Sequence, residues 1–144
     1  MVKRAGNIEH VFVDRSGEYT VVVHGVKITF LSYPFPLTFS VPWAGVIAVA
    51  DLLTLAAMKA YTLGRRAKWK DYVDLYVIMK HHHTISEVVK KAREMFGEEF
   101  NEKLFRSQLA YFADIDYSEK VIFMKGWQLD GAVIQRELLE MSVG

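Results

Sequence analysis

The sequence contains no cysteine. Disulfide scaffolds, thiolate zinc sites and cysteine nucleophiles are therefore excluded, and the absence fits a reducing compartment. Proline is scarce, with its three residues confined to positions 34, 36 and 42. Neither sign of charge is in excess. Lys plus Arg is 18 and Asp plus Glu is 17, a formal net charge of +1. That balance rules out a polyanion binder held by bulk charge and leaves room only for a local basic patch. No apolar run is clean enough to span a bilayer, because the longest, residues 41–63, carries Asp51 and Lys59. Residues 1–10 are polar and mixed, without the basic-then-apolar order of a secretory signal, so a cytoplasmic location with no membrane contact is expected. There is no repeat, low-complexity tract or flexible linker. What is present is ordinary for a globular chain of 144 residues, 51% hydrophobic and 24% charged. One domain over residues 1–144 is expected, with a β-meander at 8–33 and a helical part at 46–144.

The β reading rests on β-branched runs separated by tight turns. His10-Val11-Phe12-Val13, Tyr19-Thr20-Val21-Val22-Val23 and Val26-Lys27-Ile28-Thr29-Phe30-Leu31 are joined by Ser16-Gly17 and His24-Gly25. In the third run Val26, Ile28 and Phe30 alternate with Lys27 and Thr29, which predicts one buried and one wet face. Tyr33-Pro34-Phe35-Pro36 ends the sheet, and the stretch through Pro42 reads as a simple connector. Helices follow over residues 51–63, with Asp51 at the start and Gly64 placed as a C-terminal cap, and over about 70–82. Thr84-Ile85-Ser86-Glu87 is a capping box opening a third helix that ends at Gly97. Asn101 caps a fourth helix reaching about residue 112, and residues 129–141 form the last. The fold class is α+β, a small antiparallel sheet followed by a helical array.

Two of these helices carry charges where apolar residues belong. Leu52, Leu55, Ala56 and Leu63 share a face of the first helix, and Lys59 falls inside the stripe. On the second, Asp71 and Asp74 share a face with Leu75 and Ile78. A connector of about six residues makes the two helices neighbours and brings Lys59 towards both acids. Between them Arg65, Arg66, Lys68 and Lys70 form a positive patch beside Trp69. Two readings stand. One is a buried ion pair that sets helix register, beside a solvated basic loop. The other is a phosphate or nucleotide site, in which Lys59 and an arginine meet phosphate oxygens and the carboxylates orient those cations.

These residues resemble a known family. Lys59, then Gly64-Arg65-Arg66, then Lys70-Asp71 and the spaced Asp74-Leu75 are similar to the third motif of the nucleotidyl transferase AbiEii/AbiGii toxins. Tyr111-Phe112-Ala113-Asp114-Ile115-Asp116-Tyr117 resembles that family's fourth, acidic motif. The resemblance implies a toxin of a toxin–antitoxin or abortive-infection system, with a partner antitoxin. It implies transfer of a nucleotide to RNA or protein, using Mg²⁺ and a nucleoside triphosphate. By the same resemblance, Lys59, Arg65 or Arg66, and Lys70 contact phosphates. Asp71 and Asp74 position those cations or act as base, and Asp114 and Asp116 form a second acidic site. Family members open with a Gly-Ser or Gly-Gly-Thr turn, a helix and an Asp-containing strand, for which this sequence shows no counterpart. Near residues 26–30, where a further strand acid is expected, it offers Lys27 and Thr29. Asp14 and Glu18 flank a turn and read as surface. A truncated nucleotidyltransferase-like fold, inactive as this chain and without a cofactor of its own, is the resulting expectation. The alternative is a non-catalytic interaction module, forming a homo-oligomer through an exposed sheet edge.

Other chemistry-bearing residues are set aside. His81-His82-His83 cannot converge on one ion, because adjacent helical residues point about 100° apart. No serine lies in a nucleophile-elbow context. Tyr72, Tyr76, Phe96, Phe100, Phe105, Tyr111 and Phe112 follow helical spacing and read as packing material.

Overall fold

A computed structural model describes residues 7–144. The reading of residues 1–6 as free of a secretory signal lies outside the described residues. The chain divides into two compact units at the Pro36/Leu37 boundary.

The first unit is an antiparallel sheet of β1 (Ile8–Arg15), β2 (Glu18–Val23) and β3 (Val26–Leu31), in that order. The turn between β2 and β3 places His24 at φ 50° and Gly25 at φ 70°. Positive φ at both central residues matches the right-handed twist of the flanking strands. Register follows, with Val21 opposite Ile28 and Thr20 opposite Thr29, whose hydroxyls meet at 3.0 Å. The central strand buries Thr20 and Val21. The expected burial of one face of β3 does not occur, since all six residues are exposed, Val26 at 59% and Phe30 at 47%. Alternation gives the strand an apolar side, but burying that side needs a second layer, and β3 is an edge strand.

The second unit begins with a hairpin, not the expected plain connector: β4 (Val41–Trp43) pairs with β5 (Ile47–Val49). Its turn closes through Val46 N–H donating to the Trp43 carbonyl, with Ala44 at φ 51° and Gly45 at φ 66°. Pro42 is tolerated because each strand of a two-stranded ribbon keeps a free edge. Five helices follow among the described residues: α1 (Leu52–Leu63), α2 (Trp69–His81), α3 (Ile85–Phe96), α4 (Glu102–Leu109) and α5 (Gly131–Val143). The protein is thus α+β. Asp51 caps α1 by accepting from Thr54 N–H at 2.7 Å. Thr84 and Glu87 complete the capping box of α3 in both directions. The fourth helix stops three residues before the expected end. Tyr72 explains this, since its hydroxyl donates towards the carbonyls of Gln108 (3.2 Å) and Tyr111 (3.4 Å) and satisfies the chain where it leaves the helix.

Small residues let the helices approach. Ala56, Ala57 and Ala60 of α1 are buried, and α1 packs chiefly on α3 and then on α2. Tyr72, Leu75, Val88, Phe105, Leu109, Ile134 and Leu138 fill the remaining core. Each large apolar side chain so buried contributes about 1.5–3 kcal/mol. Leu52 and Leu55, expected in the buried stripe of α1, are 43% and 37% exposed. Among the described residues no helix is long and apolar enough to cross a membrane.

Candidate functional site

The site grows from the α1–α2 elbow. Helix α1 ends at Gly64, which is right-handed (φ −68°), so its lack of a side chain is not explained by a left-handed cap. A Cβ there would stand 3.1 Å from Leu104 Cδ2, a close approach that the half-exposed Leu104 side chain would have to yield to. Arg65 and Arg66 N–H groups both donate to the Thr62 carbonyl, turning the chain sharply into α2. Lys59, one turn before the end of α1, thereby faces the first turns of α2. Its ammonium donates to Asp71 Oδ1 at 2.9 Å and lies 2.7 Å from Asp74 Oδ2. Burial pulls the Lys59 pKa down, but the hydrogen bonds to Asp74 and Asp71 outweigh it and hold it above the usual lysine value.

The two acids are not equivalent. Asp71 is 2% exposed, whereas the Asp74 side chain is 52% exposed. Asp71 Oδ2 is buried with no hydrogen bond, and the Arg66 guanidinium stops 3.4 Å away. Of the two arginines, then, Arg66 joins the cluster. Arg65 turns away, stacking over the Tyr61 ring at 3.6 Å and lying 3.8 Å from Glu99.

The remaining cations of the patch have a different partner. Lys68 and Lys70 both donate to Glu119, one to each carboxylate oxygen. These bonds hold the Glu119 carboxyl down at about 2. Asp116 forms an isolated parallel β-bridge with Lys68, its backbone pairing with Ala67 and Trp69 while its carboxylate accepts from Ser118 N–H at 2.8 Å. Asp114 lies in the turn before it, near enough to Tyr72 to add to the burial that pushes that hydroxyl up to about 12. The two aspartates therefore sit in different local structures, Asp114 in a turn and Asp116 in a bridge. The histidines also diverge. His81 meets the Trp127 ring edge-on at 5.6 Å, and His83 lies 3.8 Å from Glu87.

Beside Asp74, α1 and α2 form a groove of about 450 Å³. Leu52, Leu55, Val73 and Val77 floor it, and Val121 and Phe123 of the irregular segment after α4 lie along it.

Sequence comparison decides the affiliation. The family model described as nucleotidyl transferase AbiEii toxin, type IV toxin–antitoxin system, matches residues 18–138, most of the chain. The chain belongs to the AbiEii family. No curated protein and no solved structure matches it significantly. The match spans the whole elbow, from Lys59 through Asp74, and also Glu119. Nucleotidyl transfer of the AbiEii type implies a divalent cation, and the carboxylates at the elbow do not fit one. The Lys59 ammonium already occupies the space between Asp71 and Asp74. Among the described residues no three His, Asp or Glu side chains gather as ligands. Sequence reasoning missed two features here. Glu119 is 51 residues from Lys68, in a segment without periodicity, and nothing in the pattern announces it. The groove carried a faint signal in the unbroken apolar run Val121-Ile122-Phe123-Met124.

Proposed function

We propose that this AbiEii-family chain is a nucleotidyltransferase-like toxin whose elbow contacts the phosphates of a nucleotide. Lys59 carries the reading. An ammonium has three donors, two of which are directed at Asp71 and Asp74, so one remains for a phosphate oxygen. Arg66, half exposed, stands beside it with a planar fork suited to the same anion. Asp71 and Asp74 act as positioning residues. They hold the ammonium in one place and keep it charged, so that ligand binding does not have to order a loose side chain. Mg²⁺ in such a reaction takes carboxylates other than these two. The acceptor is RNA or a protein, the partner is a cognate antitoxin, and the setting is cytoplasmic. The 144-residue chain by itself should transfer no label from nucleoside triphosphates to RNA in the presence of Mg²⁺, and robust transfer would refute that part.

The test of the site is nucleotide titration followed by calorimetry. Arg66→Gln should weaken binding about tenfold, the loss expected for one charge-assisted contact, with the fold retained and a fall in melting temperature of no more than about 4 °C, since Arg66 is half exposed. Equal affinity of wild type and Arg66→Gln overturns the reading.

The exposed β3 favours a second reading, pairing with another copy of the chain. Antiparallel pairing centred on Ile28 sets Val26 opposite Phe30 and Lys27 opposite Thr29, so like charges do not meet. Sedimentation should give a dimer for wild type and a monomer for Ile28→Lys, and a monomeric wild type excludes it.

A further inference from the structure

The segment from Asp116 to the α5 cap at Asp130 is tied down unevenly. Its start is fixed through the backbone. Asp116 N–H donates to the Ala67 carbonyl at 2.7 Å, and Trp69 N–H donates to the Asp116 carbonyl at 3.0 Å. Beyond that, among the described residues, no backbone hydrogen bond joins residues 117–126 to another element. Tyr117 accepts from Gln135 Nε2 at 3.2 Å, and the ion pairs of Glu119 with Lys68 and Lys70 follow two residues later. Further on, the chain crosses the groove. Val121, Ile122, Phe123 and Met124 all line it, and Ile122 and Met124 remain 86% and 78% exposed. Past Tyr117, the Glu119 carboxylate is the ionic tie of this irregular apolar strap, and Trp127 meets the His81 ring at its far end.

That carboxylate is bound in the manner of a phosphate group, two oxygens each meeting a separate ammonium. Lys70 and Asp74 are four residues apart on α2 and share a face, and Asp74 holds Lys59. The two-lysine site and the elbow thus flank the same strip of helix. Exposed ion pairs are individually weak, and a phosphate brings more charge and a third oxygen, so exchange of one anion for the other is accessible.

We propose that Glu119 is a built-in anionic latch. It occupies a Lys68–Lys70 site for a phosphate group of a nucleoside phosphate, and its displacement releases residues 120–127 from the groove. The proposal rests on the phosphate reading of the elbow and extends it to a second phosphate position and its regulation. A latch that is closed most of the time lowers the apparent affinity by the fraction of molecules left open. Removing it should raise affinity by the strength of two exposed pairs, about two- to tenfold.

The experiment titrates the full chain with inorganic pyrophosphate, without metal and at fixed ionic strength, by calorimetry and by hydrogen exchange over residues 120–127. Glu119→Gln should bind pyrophosphate two- to tenfold more tightly than wild type by this estimate and exchange faster over the strap. Glu98→Gln removes the same charge from an exposed 3₁₀ turn and should behave as wild type. Lys68→Ala/Lys70→Ala should weaken binding. Pyrophosphate added to wild type should accelerate exchange in the strap. Equal affinities for Glu119→Gln and Glu98→Gln, or a strap whose exchange ignores pyrophosphate, overturn the latch. Arg66→Gln in the same titration separates the two ideas. Lost binding there, with no effect at Glu119, leaves the elbow standing and removes the latch. Tighter binding at Glu119→Gln with an indifferent Arg66 removes the elbow contact and keeps the latch.

Discussion

Replacing Lys59 by methionine is the most informative perturbation of the elbow. Methionine keeps most of the stem and removes the ammonium. Asp71, 2% exposed, then loses its hydrogen-bonded cation, and its other oxygen already lacks a hydrogen bond. Breaking a buried pair from one side costs roughly 3–5 kcal/mol, because the surviving buried charge loses most of its compensation. Arg66, 3.4 Å from Asp71 Oδ2, can move closer and places the expected loss at the lower end. At about 4 °C per kcal/mol for a domain of this size, 3 kcal/mol is a fall of about 12 °C in melting temperature by far-UV circular dichroism. Asp74→Asn should cost no more than about 1 kcal/mol, since that acid is half exposed. Lys59→Met combined with Asp71→Leu should recover most of the stability, because removing both charges leaves no orphan. The pH dependence has a definite sign. The folded pKa of Lys59 lies above its unfolded value, so the pair stabilises fully below about pH 10.4 and fades as pH rises through the folded pKa. That alkaline loss should be missing from Lys59→Met. If Lys59→Met costs no more than Asp74→Asn, or if the double variant is no better than the single, the ammonium is not the partner of a buried charge and the argument for a preorganised site fails.

Other consequences are quickly tested. Glu119 titrates at about 2 when folded against 4.5 when free, so its stabilisation is present above pH 4.5 and is lost as pH falls towards about 2. Fluorescence of Trp69, which packs against Tyr117 at 5.5 Å, should change over that window and not in Glu119→Gln. Gly64→Ala should shift stability by less than about 1 kcal/mol, because the backbone is right-handed and Leu104, 43% exposed, can give way. Gly25→Ala, at φ 70°, should instead cost about 1–2 kcal/mol in a denaturant titration. Thr84→Ala removes one arm of the capping box and should cost about 1 kcal/mol in a thermal melt, with faster amide exchange at the start of α3.

What was legible in the sequence follows the range of the interactions. Lys59, Asp71 and Asp74 could be brought together before any coordinates, because helical periodicity fixes their faces and a short connector fixes the fold-back. The choice between Arg65 and Arg66 could not be made. Adjacent residues leaving a helix point in different directions, and the stacking of Arg65 on Tyr61 settles it only in three dimensions. Glu119 was invisible for a related reason, since its partners lie about fifty positions away, outside any periodic element. The β4–β5 hairpin was hidden by Pro42 and by Ala44, a residue that rarely adopts positive φ.

The error at β3 carries a different lesson. Alternation of Val26, Ile28 and Phe30 states which side of the strand prefers to leave water, and it says nothing of whether a layer exists to cover it. In the elbow the same kind of pattern was violated, by a lysine in one apolar stripe and aspartates in another, and there the structure brings the violating groups together. A broken pattern therefore marked where opposite charges meet, whereas a kept pattern with no cover marks a surface. Both deviations involve free energy not recovered within the described chain. Asp71 Oδ2 has no hydrogen bond, only the Arg66 guanidinium 3.4 Å away, and β3 has no strand paired on its outer edge. A ligand phosphate held by Lys59 and Arg66 would draw the guanidinium into the elbow and so bring a donor towards Asp71. If so, nucleotide binding should raise the melting temperature of wild type more than that of Asp71→Asn, and equal shifts would show that the orphaned oxygen plays no part.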